Sequence, residues 1–384
     1  MVEKVKIGVV GCGVAATRDV LPNLVQPEMK GRGIELVAVC DTVESRAKET
    51  MTAFGAQEMY VDYREMLAKS DIDAIAIFTP ISAHYPIAMA SAEAGKHVYV
   101  QKTMTTTLEE ANNLLSTVKR KGVKLVASPG QMHNPSLRMS KMMLDKGLIG
   151  KPLWGQIMAN NDGHIHERTD PSWYYRPGGG PVYSLLVYFV TTFCWMLGSV
   201  RKVTAFSGIA IPTRWWGQKR IDSEMDDSTM LLLDFGNSMF VNATSNFCTK
   251  DVLSDSAIYG TKGVIRMPLS SYRSTQQVGL QVPLYNVFQK IRSMRARSRQ
   301  IRSRKSGEQW VEWTPPLFSP SYRLSAPWGA HIIADMLEFV DSIANDKEPT
   351  IATGERARHV VEVFEKAYAS ARTGKTQELK TVFA

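Results

Sequence analysis

The stretch VKIGVVGCGVAA (residues 5–16) runs from an unbroken apolar segment into glycines at Gly11 and Gly13, then into small residues suited to a helix start. An apolar run of this length, closed by a glycine turn, reads as a strand buried on both faces. The first glycine of such a turn permits the sharp bend and the second lets backbone approach a pyrophosphate. The small third residue, here Ala16, allows helix and strand to pack closely, and the helix N-terminus then faces the phosphates. Gly11, Cys12, Gly13, Val14 and Ala15 are therefore the candidate phosphate cradle. Such a string is weak evidence alone; its place directly after the first strand strengthens it.

Outward from this turn, further apolar runs lie at 34–41, 74–79, 97–101 and 124–128. Helical periodicity fills the gaps, most clearly in SAHYPIAMASAEAG (82–95) and LEEANNLLSTVKRKG (108–122), both closed by glycine. This alternation predicts an α/β fold whose residues 1–130 form a doubly wound parallel sheet of the Rossmann kind. The second run ends in Asp41, an acid suited to the two hydroxyls of an adenine ribose. Its long spacing from the glycines is absorbed by an insert at 27–33. The carboxylate favours NAD, because a 2′-phosphate would meet like charge. Arg46 keeps NADP open, and a plain helix cap is the alternative role for Asp41.

After Asn134 the pattern changes. A helix is predicted over 137–147 and a strand over 151–162, followed by longer alternating runs at 202–211, 228–247 and 256–267. Turn residues sit at Gly236-Asn237 and at Gly260-Thr261-Lys262-Gly263. Residues 131–384 are thus predicted as an α+β domain with a large, mostly antiparallel open sheet. Helices at about 328–346 and 354–373 close the chain and pack back on the first domain. An open sheet of this kind predicts a homo-oligomer formed through it.

The segment PGGGPVYSLLVYFVTTFCWMLG (177–198) is as long as the shortest membrane span, yet Tyr183, Ser184, Tyr188, Thr191 and Thr192 interrupt it. A buried helix is the better reading. The four cysteines are far apart with no CxxC pair, so neither a zinc site nor a disulfide framework is indicated. The opening lacks a secretory signal, which predicts a cytoplasmic protein. The net charge is +9, but eight basic residues fall between Lys290 and Lys305 without an acid, leaving the remainder nearly neutral. Val287, Ile291, Met294 and Ile301 in this tract have helical spacing. The tract reads either as a solvated loop or as an arm docking on a neighbouring subunit; aromatic interleaving for nucleic acid is absent.

Several motifs occur together: the glycine turn, Thr79-Pro80-x-x-x-His84, Ala94-Gly95-Lys96-His97-Val98, Lys102 after the fourth of these apolar runs, Gly147-Leu-Ile-Gly150, the triple glycine, and Arg358-His359-Val360-Val361-Glu362. Jointly they resemble the Gfo/Idh/MocA family of NAD(P)-dependent oxidoreductases, over almost the whole chain. The resemblance implies that Thr79, Pro80, His84, Gln101 and Lys102 line the cofactor. It also places Lys102 beside both nicotinamide and substrate hydroxyl, where a cation stabilises a developing alkoxide.

This chain departs from the family at informative places. Gln101-Lys102-Thr103 replaces the usual Glu-Lys-Pro, and Thr103 removes the residue that favours a cis bond. Aligned on Gly178-Gly179-Gly180, Ser184 takes the place of an aspartate and Tyr188 that of a histidine. Tyrosine there resembles one branch of the family, and a phenol beside Lys102 can serve as acid and base once its pKa of about 10 is lowered. The bland alternative is that both residues merely fill a core helix.

The loop NNDGHIHERTDPSWYYRPGGG (160–180) gathers polar forks and flat rings suited to a carbohydrate, namely Asp162, His164, Trp173, Tyr174 and Arg176, with Asn160, Asn161, His166 and Arg168 beside them. No metal is expected. The expected activity is hydride transfer between nicotinamide and a ring carbinol of a sugar, polyol or sugar derivative, with Lys102 and Tyr188 catalytic and Ser184 placing the ring. Two alternatives drawn from the family stay open: an NAD-dependent glycosidase acting through transient C3 oxidation, and a non-catalytic dinucleotide-binding regulator.

Overall fold

The structure is a computed structural model, and it describes residues 4–167, 169–249, 254–267, 278–281, 297–302, 309–314 and 330–383. Strands β1 (Val5–Val10), β2 (Ile34–Cys40), β3 (Glu58–Tyr60), β4 (Ala74–Ile77), β5 (His97–Val100) and β6 (Leu125–Ala127) form one sheet. All are parallel, in the order β3-β2-β1-β4-β5-β6. The strand order reverses between β1 and β4, which opens a crevice at the carboxyl ends of these strands. Strand β3 was not expected: three half-buried residues at a sheet edge make no apolar run.

Helices cover both faces of this sheet. Helices Tyr63–Lys69, His84–Glu93 and Leu108–Lys121 lie on one side. The last begins in a Thr107/Glu110 capping box and stops at Gly122 in the left-handed conformation. On the other side, the helical turns Ala15–Val20 and Leu21–Leu24 are joined by helix Ala330–Ala344. Its Ile332, Ile333, Met336 and Phe339 pack in one cluster with Ile7, Val9 and Tyr99.

The remaining strands are β7 (Pro152–Asn160), β8 (Lys202–Gly208), β9 (Thr213–Trp216), β10 (Lys219–Asp222), β11 (Ser228–Asp234), β12 (Phe240–Asn246), β13 (Ser254–Gly260), β14 (Gly263–Arg266), β15 (Val278–Gln281), β16 (Arg297–Arg302), β17 (Gln309–Thr314) and β18 (Gln377–Glu378). Ten of them form a sheet in the order β16-β17-β15-β14-β13-β7-β12-β11-β8-β18, antiparallel except where β12 meets β7. The Gly236-Asn237 turn joins β11 to β12, and Thr261-Lys262 is the two-residue loop between β13 and β14. Of the basic tract 287–305, residues 297–302 form β16 rather than a helix; the rest lies outside the described residues, as does Arg168. Backbone pairing with β17 overrides the helical spacing there.

Residues alternate in burial along β11 and β12 because only one face of the sheet is covered. Helices Pro135–Asp145, Val187–Leu197 and Gly354–Thr373 contribute to the core on that face. The opposite face leaves Phe206, Met230, Leu232, Phe240 and Trp154 exposed. The apolar segment after the triple glycine is a core helix, with π-helical turns over Val182–Leu186 leading into Val187–Leu197. Among the described residues no helix is long and apolar enough to cross a membrane.

Hairpin β9–β10 forms a separate two-stranded sheet that sequence periodicity did not show. Arg214 pins it. The guanidinium pairs with Asp227 at 2.7 Å, both side chains being at most 4% exposed, and also donates to the carbonyls of Ile211 and Phe247. Asp227 in turn accepts from the N–H groups of Ala210 and Ile211. Every charge in this buried cluster is thereby compensated.

Candidate active site

The crevice at the ends of β1, β4 and β5 gathers the first group of predicted residues. Gly11 has φ +95°, and a Cβ there would lie 2.7 Å from the Phe78 backbone, so only glycine lets the turn cross the end of β4 this closely. Gly13 differs: a Cβ on it would meet nothing within 4 Å. That open side is the cradle a pyrophosphate requires. Asp41 closes the second strand, accepting from Cys12 N at 2.9 Å, Val43 N at 2.9 Å and Arg46 Nη1 at 3.2 Å. One carboxylate thus braces both the glycine turn and the following helix. Thr79 Oγ1 is buried without a partner, an unmet polar group at the same edge. These residues fit a dinucleotide.

His84 is fully enclosed, with Nδ1 2.8 Å from Thr103 O and Nε2 2.9 Å from Thr79 O. Burial pushes its pKa down to about 4 despite the two carbonyls, and the Lys102 charge acts in the same direction. The imidazole is therefore neutral. It ties the end of β4 to the segment after β5 and presents no open nitrogen to a ligand. The Lys102–Thr103 peptide is cis although no proline follows, and Thr103 Oγ1 donates to Tyr183 O at 2.9 Å. Gln101 anchors the bend through Oε1, which accepts from Lys102 N at 3.1 Å.

Lys102 meets the post-glycine helix here. Its Nζ donates to Ser184 O at 3.1 Å and stands 5.2 Å from the centre of the Tyr188 ring. Burial brings the ammonium down to about 8. The Ser184 hydroxyl is turned to its own helix, donating to Gly180 O at 2.8 Å, so it is the carbonyl of Ser184 that faces the lysine. The triple glycine folds against the Ser172–Tyr175 turn; a Cβ on Gly179 would lie 2.5 Å from the carbonyls of Trp173 and Tyr174. This contact aims the following helix at Lys102.

The 160–176 loop forms a stack of rings. Tyr174 lies between His164 at 3.6 Å and Trp173 at 3.7 Å, so a sugar meets no open face of Tyr174. His164 Nδ1 is 3.3 Å from Glu167 Oε1, its Nε2 is buried without a partner, and burial keeps its pKa low. Asp162 lies 3.5 Å from the exposed His166, and Arg176 is also exposed. Pro80 precedes the turn Ile81–Ala83 that leads into the His84 helix.

Sequence reasoning missed His331. Its ring packs edge-on to Tyr188 at 5.6 Å, its Nε2 is buried without a partner, and burial holds its pKa near 4, with Lys102 contributing. Asp335, one helical turn on, accepts from Gly130 N at 3.0 Å and is pushed up to about 7 by burial. The i, i+4 spacing of His331 and Asp335 was the available signal.

Residues 5–128 match the family described as "Oxidoreductase family, NAD-binding Rossmann fold", and residues 137–266 match the GFO/IDH/MocA C-terminal domain. A scyllo-inositol 2-dehydrogenase (NAD(+)) of Bacillus subtilis is 28% identical over 176 residues, 46% of this chain and 49% of that protein. A levoglucosan dehydrogenase of Pseudarthrobacter phenanthrenivorans is 25% identical over 238 residues, 57% of this chain and 61% of that protein. The matched stretches thus span about half to three-fifths of these relatives. Among solved structures, a levoglucosan dehydrogenase in complex with NADH superposes with a TM-score of 0.80 at 19% identity, covering 99% of this chain and 100% of that one, which speaks for the fold. Glycine turn, two-sheet architecture and family matches together place this chain in the Gfo/Idh/MocA oxidoreductase family, whose first domain is an NAD-binding Rossmann fold.

Proposed function

We propose that the protein is an NAD-dependent oxidoreductase acting on a ring carbinol of a sugar, polyol or sugar derivative. The observation that carries this reading is the approach of the Lys102 ammonium to the Tyr188 ring, at the crevice where the glycine turn, β4 and β5 end. Bound NAD supplies the acceptor for hydride. Within the chain, Lys102 stabilises the oxyanion that develops at the carbinol and Tyr188 moves its proton. Asp41 and the open side of Gly13 hold the dinucleotide, and His84 acts on it indirectly by fixing the strand ends. Arg46 reinforces Asp41 rather than opposing it, which favours NAD over NADP. His164, Trp173, Asp162 and Arg176 shape the substrate side.

The chain is taken as two units, 1–130 and 131–384, with helix Ala330–Ala344 returning to the first. The exposed apolar face of the ten-stranded sheet supports a homo-oligomer formed through it. Four unpaired cysteines support a reducing compartment, the cytoplasm.

Incubation with NAD and a panel of sugars, polyols and glycosides, following absorbance at the nicotinamide band and aglycone release, tests the activity. NADH formation with a polyol or sugar supports it. Aglycone release without net NADH points to redox-assisted glycoside cleavage, and NAD binding without turnover of any substrate defeats the enzymatic reading.

A further inference from the structure

The charge around Lys102 is unbalanced. Among the described residues no carboxylate pairs with its ammonium, whose partners are the Ser184 carbonyl and the Tyr188 ring. No acidic group alters its basicity; burial alone does. The Lys102 charge bears on three imidazoles, those of His84, His164 and His331, and burial lowers the pKa of each. In the longest stretch outside the described residues acids are scarce: between residues 268 and 329 the sequence holds only Glu308 and Glu312, and Asp251 lies in the short segment 250–253. The position from which the family pattern would supply an aspartate holds Ser184, with its hydroxyl turned to Gly180 O.

The ammonium is half-buried, and a cation held partly out of water without a counter-ion is costly unless something brought into the site compensates it. An oxidised nicotinamide ring held near it would add positive charge, the negative charges of NAD being on its pyrophosphate at the glycine turn. The unmet hydrogen-bonding atoms fit the same conclusion. Nε2 of His331 and Nε2 of His164 are both sealed from solvent without partners. Nε2 of His331 can donate to an acceptor when it carries the ring proton; in His164 the proton belongs on Nδ1, which faces the Glu167 carboxylate, so its Nε2 accepts.

Resting on the proposed oxidoreductase activity, we infer that the substrate supplies the missing negative charge: it is a carboxylate-bearing sugar or polyol, a uronate or aldonate, seated with its carboxylate against Lys102 and the imidazole of His331. An ammonium has three protons, so Lys102 can hold the Ser184 carbonyl, the reacting oxygen and one carboxylate oxygen together. A phosphate ester carries nearly two charges, more than the single ammonium of Lys102 balances.

The test compares D-glucose, D-glucuronate, D-gluconate and D-glucose 6-phosphate in two assays on the full chain: NAD-linked turnover, and the shift in melting temperature on adding each compound without cofactor. The expected result is a kcat/KM at least tenfold higher for a carboxylated compound than for glucose, with a melting shift from the same compound only. Ser184→Asp adds a negative charge on the residue whose carbonyl Lys102 holds and should cut that preference at least tenfold; His331→Ala should weaken the melting shift. Equal or better use of the neutral sugar, or preference for the phosphate ester, overturns the inference while leaving the oxidoreductase reading intact. Carboxylate-specific melting shifts without turnover would support the carboxylate site against Lys102 and His331, and would count against the oxidoreductase reading rather than against the site.

Discussion

The Lys102 ammonium stands 5.2 Å from the centre of the Tyr188 ring, across the junction of the two sheets' helices and strands. The contact joins a strand end of the first sheet to a helix packed on the second. Held on an aromatic face, the ammonium is attracted by the ring while its remaining protons stay available to a ligand.

Removing either partner should abolish chemistry more than binding. Lys102→Ala and Tyr188→Phe are each expected to lower kcat about a hundredfold to ten-thousandfold. The dissociation constant for NAD, measured by fluorescence titration, should change little. Normal turnover in both variants would separate this pair from the reaction.

The pH profile follows from the lysine. Its pKa is lowered by burial to about 8, so the ammonium form predominates at neutral pH and is lost as the pH rises through that value. Accordingly, kcat/KM should decline on the alkaline side with a midpoint near 8. In Lys102→Arg, which keeps its charge, any residual activity should lack that limb.

Gly11 and Gly13 should fail in different ways. Gly11→Ala forces a side chain into positive φ and against the Phe78 backbone, and is expected to cost about 1–3 kcal/mol of stability. Gly13→Ala meets no protein atom within 4 Å, so the melting temperature should hold while NAD affinity falls at least tenfold. Equal NAD affinity in Gly13→Ala would remove that glycine from the cofactor cradle.

Arg214→Ala leaves Asp227 as a buried carboxylate whose ion-pair partner is gone. The expected loss is about 3–5 kcal/mol in urea unfolding. Arg214→Lys should recover only part of it, because an ammonium cannot serve Asp227, Ile211 and Phe247 with the same planar fork.

The exposed sheet face makes a prediction in solution. Met230→Glu with Leu232→Lys places charges on neighbouring outward positions of β11. Light scattering should then report a smaller particle than the parent protein, with unchanged far-UV circular dichroism. An unchanged mass would direct the search for an interface elsewhere.

The parallel sheet was legible because strands buried on both faces are written as continuous apolar runs, as in β1 and β4. The edge strand β3 and the β9–β10 hairpin were not, since short, partly exposed segments carry little period. At the site, local pattern and family resemblance led to Lys102, Asp41 and Tyr188. They did not lead to His331, which reaches Tyr188 from a distant helix, nor to the hydroxyl of Ser184 turning back on Gly180. Both depend on tertiary packing, on which spacing along the chain is silent. Tyr174 was legible as an aromatic, but its place inside a stack was not.

Helix Ala330–Ala344 covers a face of the sheet formed by the first strands, putting Ile333, Met336 and Phe339 in one cluster with Ile7 and Val9. During synthesis, at about 5–20 residues per second, the ribosome therefore releases that sheet well before its lid exists. For some tens of seconds the nascent chain carries an apolar surface that only the turns Ala15–Val20 and Leu21–Leu24 cover in part. Chaperone binding to the early half until the late half arrives is the expected consequence.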